Sequence, residues 1–264
     1  MRRLARVWVF TGILVAAIIL TFALPRIPQD TSYHLFADTR TFFDVPNCLN
    51  VISNAGFLFV GPWGIVFLLR RDERRQSRLA FVHSDERWPY IVFFVGVGLT
   101  AFGSGYYHLR PGTERLVWDR LPMAVAFMAL VAAMMAERVK VKAGLLSLLP
   151  LLAAGAASVF YWQATELKGA GDLRFYGLVQ FGSLLAILLL VLLFPARYTR
   201  SADFLVALLL YALAKLCEAF DRQIFSLGRI VSGHTLKHLA AALAIYWILR
   251  MVMLRTPRVE KASL

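Results

Sequence analysis

The chain has 264 residues, 59% of them hydrophobic and 17% charged, and its formal net charge at pH 7 is +13. That apolar content exceeds what a soluble domain of this length carries, which excludes an ordinary water-soluble fold. The basic residues lie in short loops between apolar runs, so the charge reads as membrane topology and contact with anionic lipid, and nucleic acid is excluded as a partner.

Eight apolar runs of about 18 residues or more can be read along the chain, the length that spans a bilayer core. They lie near 7–25, 48–69, 89–107, 118–136, 143–163, 175–195, 203–221 and 234–254. The expected fold is an all-α polytopic membrane protein, because a β-barrel would show short alternating strands instead. The first run, Trp8 to Leu24, is long for the apolar part of a signal peptide. It ends in "FALPRIP" without a small-x-small cleavage site, so residues 1–30 read as an uncleaved signal anchor. Residues 31–255 form the main membrane domain and 256–264 a basic cytoplasmic tail. Two loops are longer than the rest, 26–46 and the basic stretch 70–88. Cys48 and Cys217 have no metal-ligand spacing and read as small packing residues.

Charge sets the expected orientation. Eighteen of the 29 Lys and Arg residues fall on alternate loops: before the first run, in 70–88, after the fourth and sixth runs, and after the last. By the positive-inside rule both termini are cytoplasmic. The polar residues near span ends then share one side. Asn47, Asn50, Ser53 and Asn54 open the second span, Ser104 and His108 close the third, and Asp119 opens the fourth. Lys215, Glu218 and Asp221 close the seventh, and His234, Lys237 and His238 open the eighth. All fall in the extracytoplasmic half, and intramembrane polar groups are functional candidates by default.

Spacing adds chemistry. "HTLKH" puts His234 and His238 four residues apart, on one face of a helix, as two ligands of one metal require. His108 can supply a third imidazole, and three imidazoles with one open position describe a catalytic zinc site. Zinc leads iron and nickel because a borderline-soft ion suits nitrogen donors. It lowers the pKa of a bound water to about 7, which makes a nucleophile at neutral pH. Asp119 can act as general base and Ser104 can stabilise an oxyanion. Each residue also has a plainer reading. HxxxH alone is weak, Asp119 suits any helix N-terminus, Ser104 suits helix packing, and Lys215, Glu218 and Asp221 can neutralise one another.

Taken together, "SGYYH", "DRLPM", "HTLKH" and the opening "NVISN" resemble the alkaline ceramidase family. That family belongs to the wider CREST group of membrane hydrolases, which includes the adiponectin-receptor-like proteins. The resemblance covers about residues 33–250 and leaves the first span as an addition to a seven-helix core. It implies a zinc held by His108, His234 and His238, with Asp119 and Ser104 as catalytic partners, and hydrolysis of a ceramide-like lipid amide to a fatty acid and a sphingoid-type amine. Arg120 stands where the family has an acidic residue, and Lys237 stands inside HxxxH. These two, with Glu218, Asp221, Asn50, Ser53 and Asn54, are candidates for supporting the site or touching substrate. Arg110, Arg115 and Arg120 ring its mouth, as headgroup contacts or interfacial anchors. A calcium site like that of the eukaryotic members is disfavoured, because the matching N-terminal stretch aligns poorly, although Asp38, Asp44 and Asn47 could offer oxygen ligands.

The leading expectation is a zinc-dependent lipid amidase in a bacterial inner membrane. Its rivals are a receptor-like or regulatory protein with a structural metal, and a transporter that uses Lys215, Glu218 and Asp221 as a relay. Absence of a visible inverted repeat counts against transport.

Overall fold

The computed structural model describes residues 3–70 and 80–258. Arg2, Arg71, Arg74, Arg75, Arg78, Lys261 and residues 259–264 of the tail lie outside the described residues.

Each predicted run forms a helix. Helix α1 is Arg3–Ala23, α2 Cys48–Ile52 and α3 Ala55–Leu69, the last two making one span with a break at Ser53 and Asn54. They are followed by α4 (Arg87–Leu109), α5 (Thr113–Arg138), α6 (Val141–Leu167) and α7 (Arg174–Leu193). Then come α8 (Asp203–Ala219), the short α9 (Asp221–Ser226) and α10 (Gly233–Leu254). Among the described residues there is no β-strand, only isolated bridges at Phe42–Val45 and Tyr198–Pro257. Among the described residues, seven helical segments are long and apolar enough to cross a membrane. Helix α8 has 17 residues, at the lower end of the spanning range of roughly 17–25. The protein is therefore an all-α, multi-pass membrane protein.

Helices α4 and α5 pair along their length, α3 packs on α4, α6 on α5, and α10 on α8. Helix α7 packs against α5 and α6 but scarcely touches α8. Helix α1 lies outside this bundle against α7 and buries none of its residues. Arg174 holds its end, donating to the carbonyls of Phe22 and Leu24. Hydrogen bonds from Arg174 keep the Asp172 carboxyl down at about 2, so this anchor stays ionised at neutral pH.

One local device brings α4 against α5. Pro122 has no N–H, so the Trp118 carbonyl four residues back loses its helical partner. That oxygen points at Gly103 of α4, where any Cβ would overlap it. The backbones can approach here only because residue 103 is glycine. Ser104 and Asp119 are the next residues along the two helices, so the contact sets their separation.

At the opposite end of the bundle, two arginines that the sequence offered only as topology signals are buried. Arg138 is 6% exposed and Arg255 2% exposed. Glu137 accepts from Arg255 Nη1 at 2.6 Å and from Tyr90 at 3.2 Å, while Glu86 accepts from Tyr198 at 2.9 Å and Arg197 at 3.1 Å. These pairs tie α4, α5, α10 and the α7–α8 connection together at that end. The first tail residues join them, with Arg258 N donating to the Arg197 carbonyl at 2.8 Å.

Gly103→Ala is expected to destabilise the protein by about 1–3 kcal/mol through forced separation of α4 and α5. Gly105→Ala, whose Cβ would meet nothing within 4 Å, is the control. Thermal unfolding in detergent checks this; equal midpoints for the two variants would contradict the close-approach argument.

Candidate metal centre

Helix α10 starts where its first turn can be fixed from several sides. The Ser232 hydroxyl caps it by accepting from Thr235 N at 3.1 Å. Asp221 Oδ1 accepts from His234 N at 2.7 Å. Gly233 sits so close to the end of α8 that a Cβ would overlap the Cys217 carbonyl oxygen. His234 and His238 then share one face of α10, and the last turn of α4 brings His108 to the same point.

The three imidazoles form one cluster. His108, His234 and His238 are 1%, 3% and 3% exposed. One ring nitrogen from each lies within 4.8 Å of the other two. His108 Nε2 and His234 Nε2 are 3.3 Å apart. Two nitrogens on one tetrahedral ion at the usual zinc–nitrogen distance of 2.0–2.1 Å would be about 3.3 Å apart. This geometry can hold a metal ion, and a set of imidazole nitrogens fits a borderline ion such as zinc.

The surrounding hydrogen bonds aim the rings. Ser53 Oγ donates to the Asn50 carbonyl at 3.1 Å and lies 2.8 Å from His238 Nδ1. With its proton committed to Asn50, Ser53 accepts from His238 Nδ1–H, which leaves the Nε2 lone pair for the cluster. Asn50 Oδ1 accepts from Thr235 Oγ1 at 2.9 Å, tying α2 to α10. Asn47 Nδ2 donates to the His108 carbonyl at 2.9 Å, tying the start of α2 to α4. His108 Nδ1 is buried and has no hydrogen-bond partner.

Loop 26–46 closes over this end of the bundle. Phe36 stacks on His108 and His234, at centroid distances of 4.8 and 4.4 Å. Ala37 N donates to the second Asp221 oxygen at 2.9 Å. His34 bonds Tyr107 OH at 2.8 Å and Thr113 at 3.1 Å, outside the three-histidine cluster. Asp38 is committed to Arg40, with contacts of 2.8 Å to both carboxylate oxygens. Burial alone would raise that carboxyl, but the Arg40 hydrogen bonds and charge outweigh it and hold it below its ordinary value. Asp44 is exposed.

The remaining candidates divide into two groups. Ser104, Asp119, Arg120, Glu218, Lys237 and His238 line one cavity of about 760 Å³. It runs from there between the helices to Phe204 and Ile248, past apolar side chains. Ser104 and Asp119 both line it, each one residue beyond the Gly103–Trp118 contact that brings α4 against α5. Glu218 accepts from Lys215, from Lys237 at 3.0 Å and from Tyr33 at 3.2 Å. Asp221 does not join that group, because it is spent on clamping α10 to the loop. Asn54 bonds the Asn50 and Val51 carbonyls within its own turn, away from the histidines. Arg120 is not at the mouth with Arg110 and Arg115: it is 6% exposed and turned inward. Sequence reasoning missed Phe36, Tyr33 and Gln29, which reach the site only through the fold of a long loop.

The fold and site together define a multi-pass helical membrane protein with a buried three-histidine group able to hold a metal ion. No protein-family model matches the chain, and no curated protein matches it either.

Purified wild type is expected to hold about one divalent metal per chain, and His108→Ala, His234→Ala and His238→Ala to lose it. Ser53→Ala should weaken metal binding by about tenfold to a hundredfold, because His238 loses the group that orients it. Metal analysis and chelator competition read both effects; full metal retention in His238→Ala would contradict the assignment.

Proposed function

We propose that the protein is an integral-membrane, zinc-dependent amide hydrolase acting on ceramide-like lipids. The observation that carries this reading is one juxtaposition. His238, Asp119 and Ser104 border a long apolar cavity inside a membrane bundle. A soluble substrate would have no use for such a cavity, whereas an acyl chain fills it. The resemblance to the alkaline ceramidase family, carried by the same residues, names the amide bond as the target.

Zinc at the three histidines would supply Lewis acidity and a water of lowered pKa. The chain supplies the rest. The acyl chain lies along the wall formed by α5, α7, α8 and α10, which brings the amide carbonyl to Asp119 and Ser104. The Asp119 carboxylate takes the proton of the attacking water and returns it to the departing amine. The Ser104 hydroxyl donates to the oxygen that gains negative charge. Phe36 and Tyr33 limit water from the loop side. Lipid enters sideways between α7 and α8, where the helices scarcely touch and Gln180 Nε2 bonds Tyr211 OH at 2.6 Å across the gap. In this reading the protein sits in a bacterial inner membrane with both termini cytoplasmic and the site in the extracytoplasmic half.

The test is hydrolysis of a panel of fatty-acyl amides by zinc-loaded protein. Asp119→Asn is expected to lower the rate by about a hundredfold to ten-thousandfold with metal retained. Ser104→Ala should cost about tenfold to a thousandfold. Activity that survives in metal-free His238→Ala protein would sink the reading.

A further inference from the structure

The polar end of the cavity holds a buried cation without a counterion. Arg120 is buried, and among the described residues no carboxylate lies within ion-pair distance of it. Its guanidinium is held by faces and a single neutral acceptor. Cζ lies 4.1 Å from the Trp162 ring centroid, 4.8 Å from Tyr176 and 5.8 Å from Tyr33. Nη2 donates to Gln29 Oε1 at 2.6 Å, while Nη1 is buried without a hydrogen-bond partner. Nearby, Lys215 and Lys237 share one carboxylate, Glu218. At this end Arg120, Lys215 and Lys237 meet Asp119 and Glu218, with the Lys215 side chain 36% exposed. Arg174 is paired with Asp172, and Glu166 accepts from Gln29 N and Trp162 Nε1 without pairing with Arg120, so Arg120 is the buried cation left without a counterion. Burying a cation without a counterion is costly, and aromatic faces offset only part of that cost.

We infer that this end of the cavity binds an acidic headgroup, so that the substrate is an acyl amide whose amine half bears a carboxylate or phosphate. The inference rests on the hydrolase reading for the amide and on Arg120, Lys215 and Lys237 for the acid. Arg120 lines the same cavity as Asp119, so an acid on the amine half can meet the guanidinium while the amide lies at Asp119. An N-acyl amino acid has that arrangement, and among ceramide-like lipids one with a phosphorylated headgroup carries the acid. Arg110 and Arg115, which point outward, take no part.

The experiment compares two ligands that differ in one charge, N-palmitoylglycine and its methyl ester. Binding to zinc-loaded protein in nanodiscs is measured by calorimetry, and turnover is followed separately. The acid is expected to bind wild type more tightly than the ester by about tenfold or more, the worth of a charge-assisted hydrogen bond. Arg120→Gln should erase the preference and Arg120→Glu should reverse it. Lys215→Met, away from the aromatic cage, should reduce it. Equal binding of acid and ester by wild type, together with equal binding of a phosphate-bearing amide and its dephosphorylated partner, overturns the inference without recourse to any variant. A preference retained by folded Arg120→Gln protein overturns it too. Palmitate is the third ligand: Arg120-dependent binding of palmitate alone would make this a product site and also overturn it. A phosphate-bearing amide preferred over its dephosphorylated partner supports the inference with phosphate as the acid. Arg120-dependent binding with no turnover of any amide would leave the headgroup site standing and remove the hydrolase reading. Turnover with no charge preference would do the reverse.

Discussion

Three imidazole rings packed against one another inside an apolar bundle are unfavourable unless something binds the nitrogens that face each other. In this protein the approach of His108 Nε2 to His234 Nε2, 3.3 Å, is the spacing that a single tetrahedral ion would impose. Much of the surrounding structure holds that spacing. Ser232, Gly233 and Asp221 fix the start of α10, Asn47 and Asn50 tie α2 to α4 and α10, and Ser53 orients His238. Loop 26–46 then covers the rings with Phe36.

The same constraint explains why the polar residues sit at one end of the helices. In the proposed hydrolase, a metal deep in the bundle would be cut off from water, and one in the loops would be cut off from an acyl chain. A cluster at the helix ends, above a long apolar cavity, serves both. The opposite end of the bundle carries its own buried ion pairs around Glu137 and Arg255, which hold the helices together there.

The helices were legible because membrane spans are read from length and composition alone, and each of the eight runs forms a helix. The pairing of His234 with His238 was legible too, since it is a local property of helix spacing. What escaped was whatever depends on distant segments meeting. A long polar loop such as 26–46 has no period that reveals Phe36 against His108. Nothing local shows that Pro122 frees a carbonyl for Gly103 to accommodate. Arginines near span ends all look alike in a charge count, so neither the inward turn of Arg120 nor the burial of Arg138 and Arg255 could be seen. Asp221 showed as a candidate for the site, but its carboxylate is committed to His234 N and Ala37 N.

The central claim is that these histidines bind one metal through three imidazole nitrogens. X-ray absorption at the zinc edge of the purified protein measures that directly. The expected result is a shell of three nitrogen neighbours and one oxygen at about 2.0–2.1 Å, with the outer-shell scattering of imidazole rings. A sulfur shell, or an all-oxygen shell without ring scattering, would contradict it.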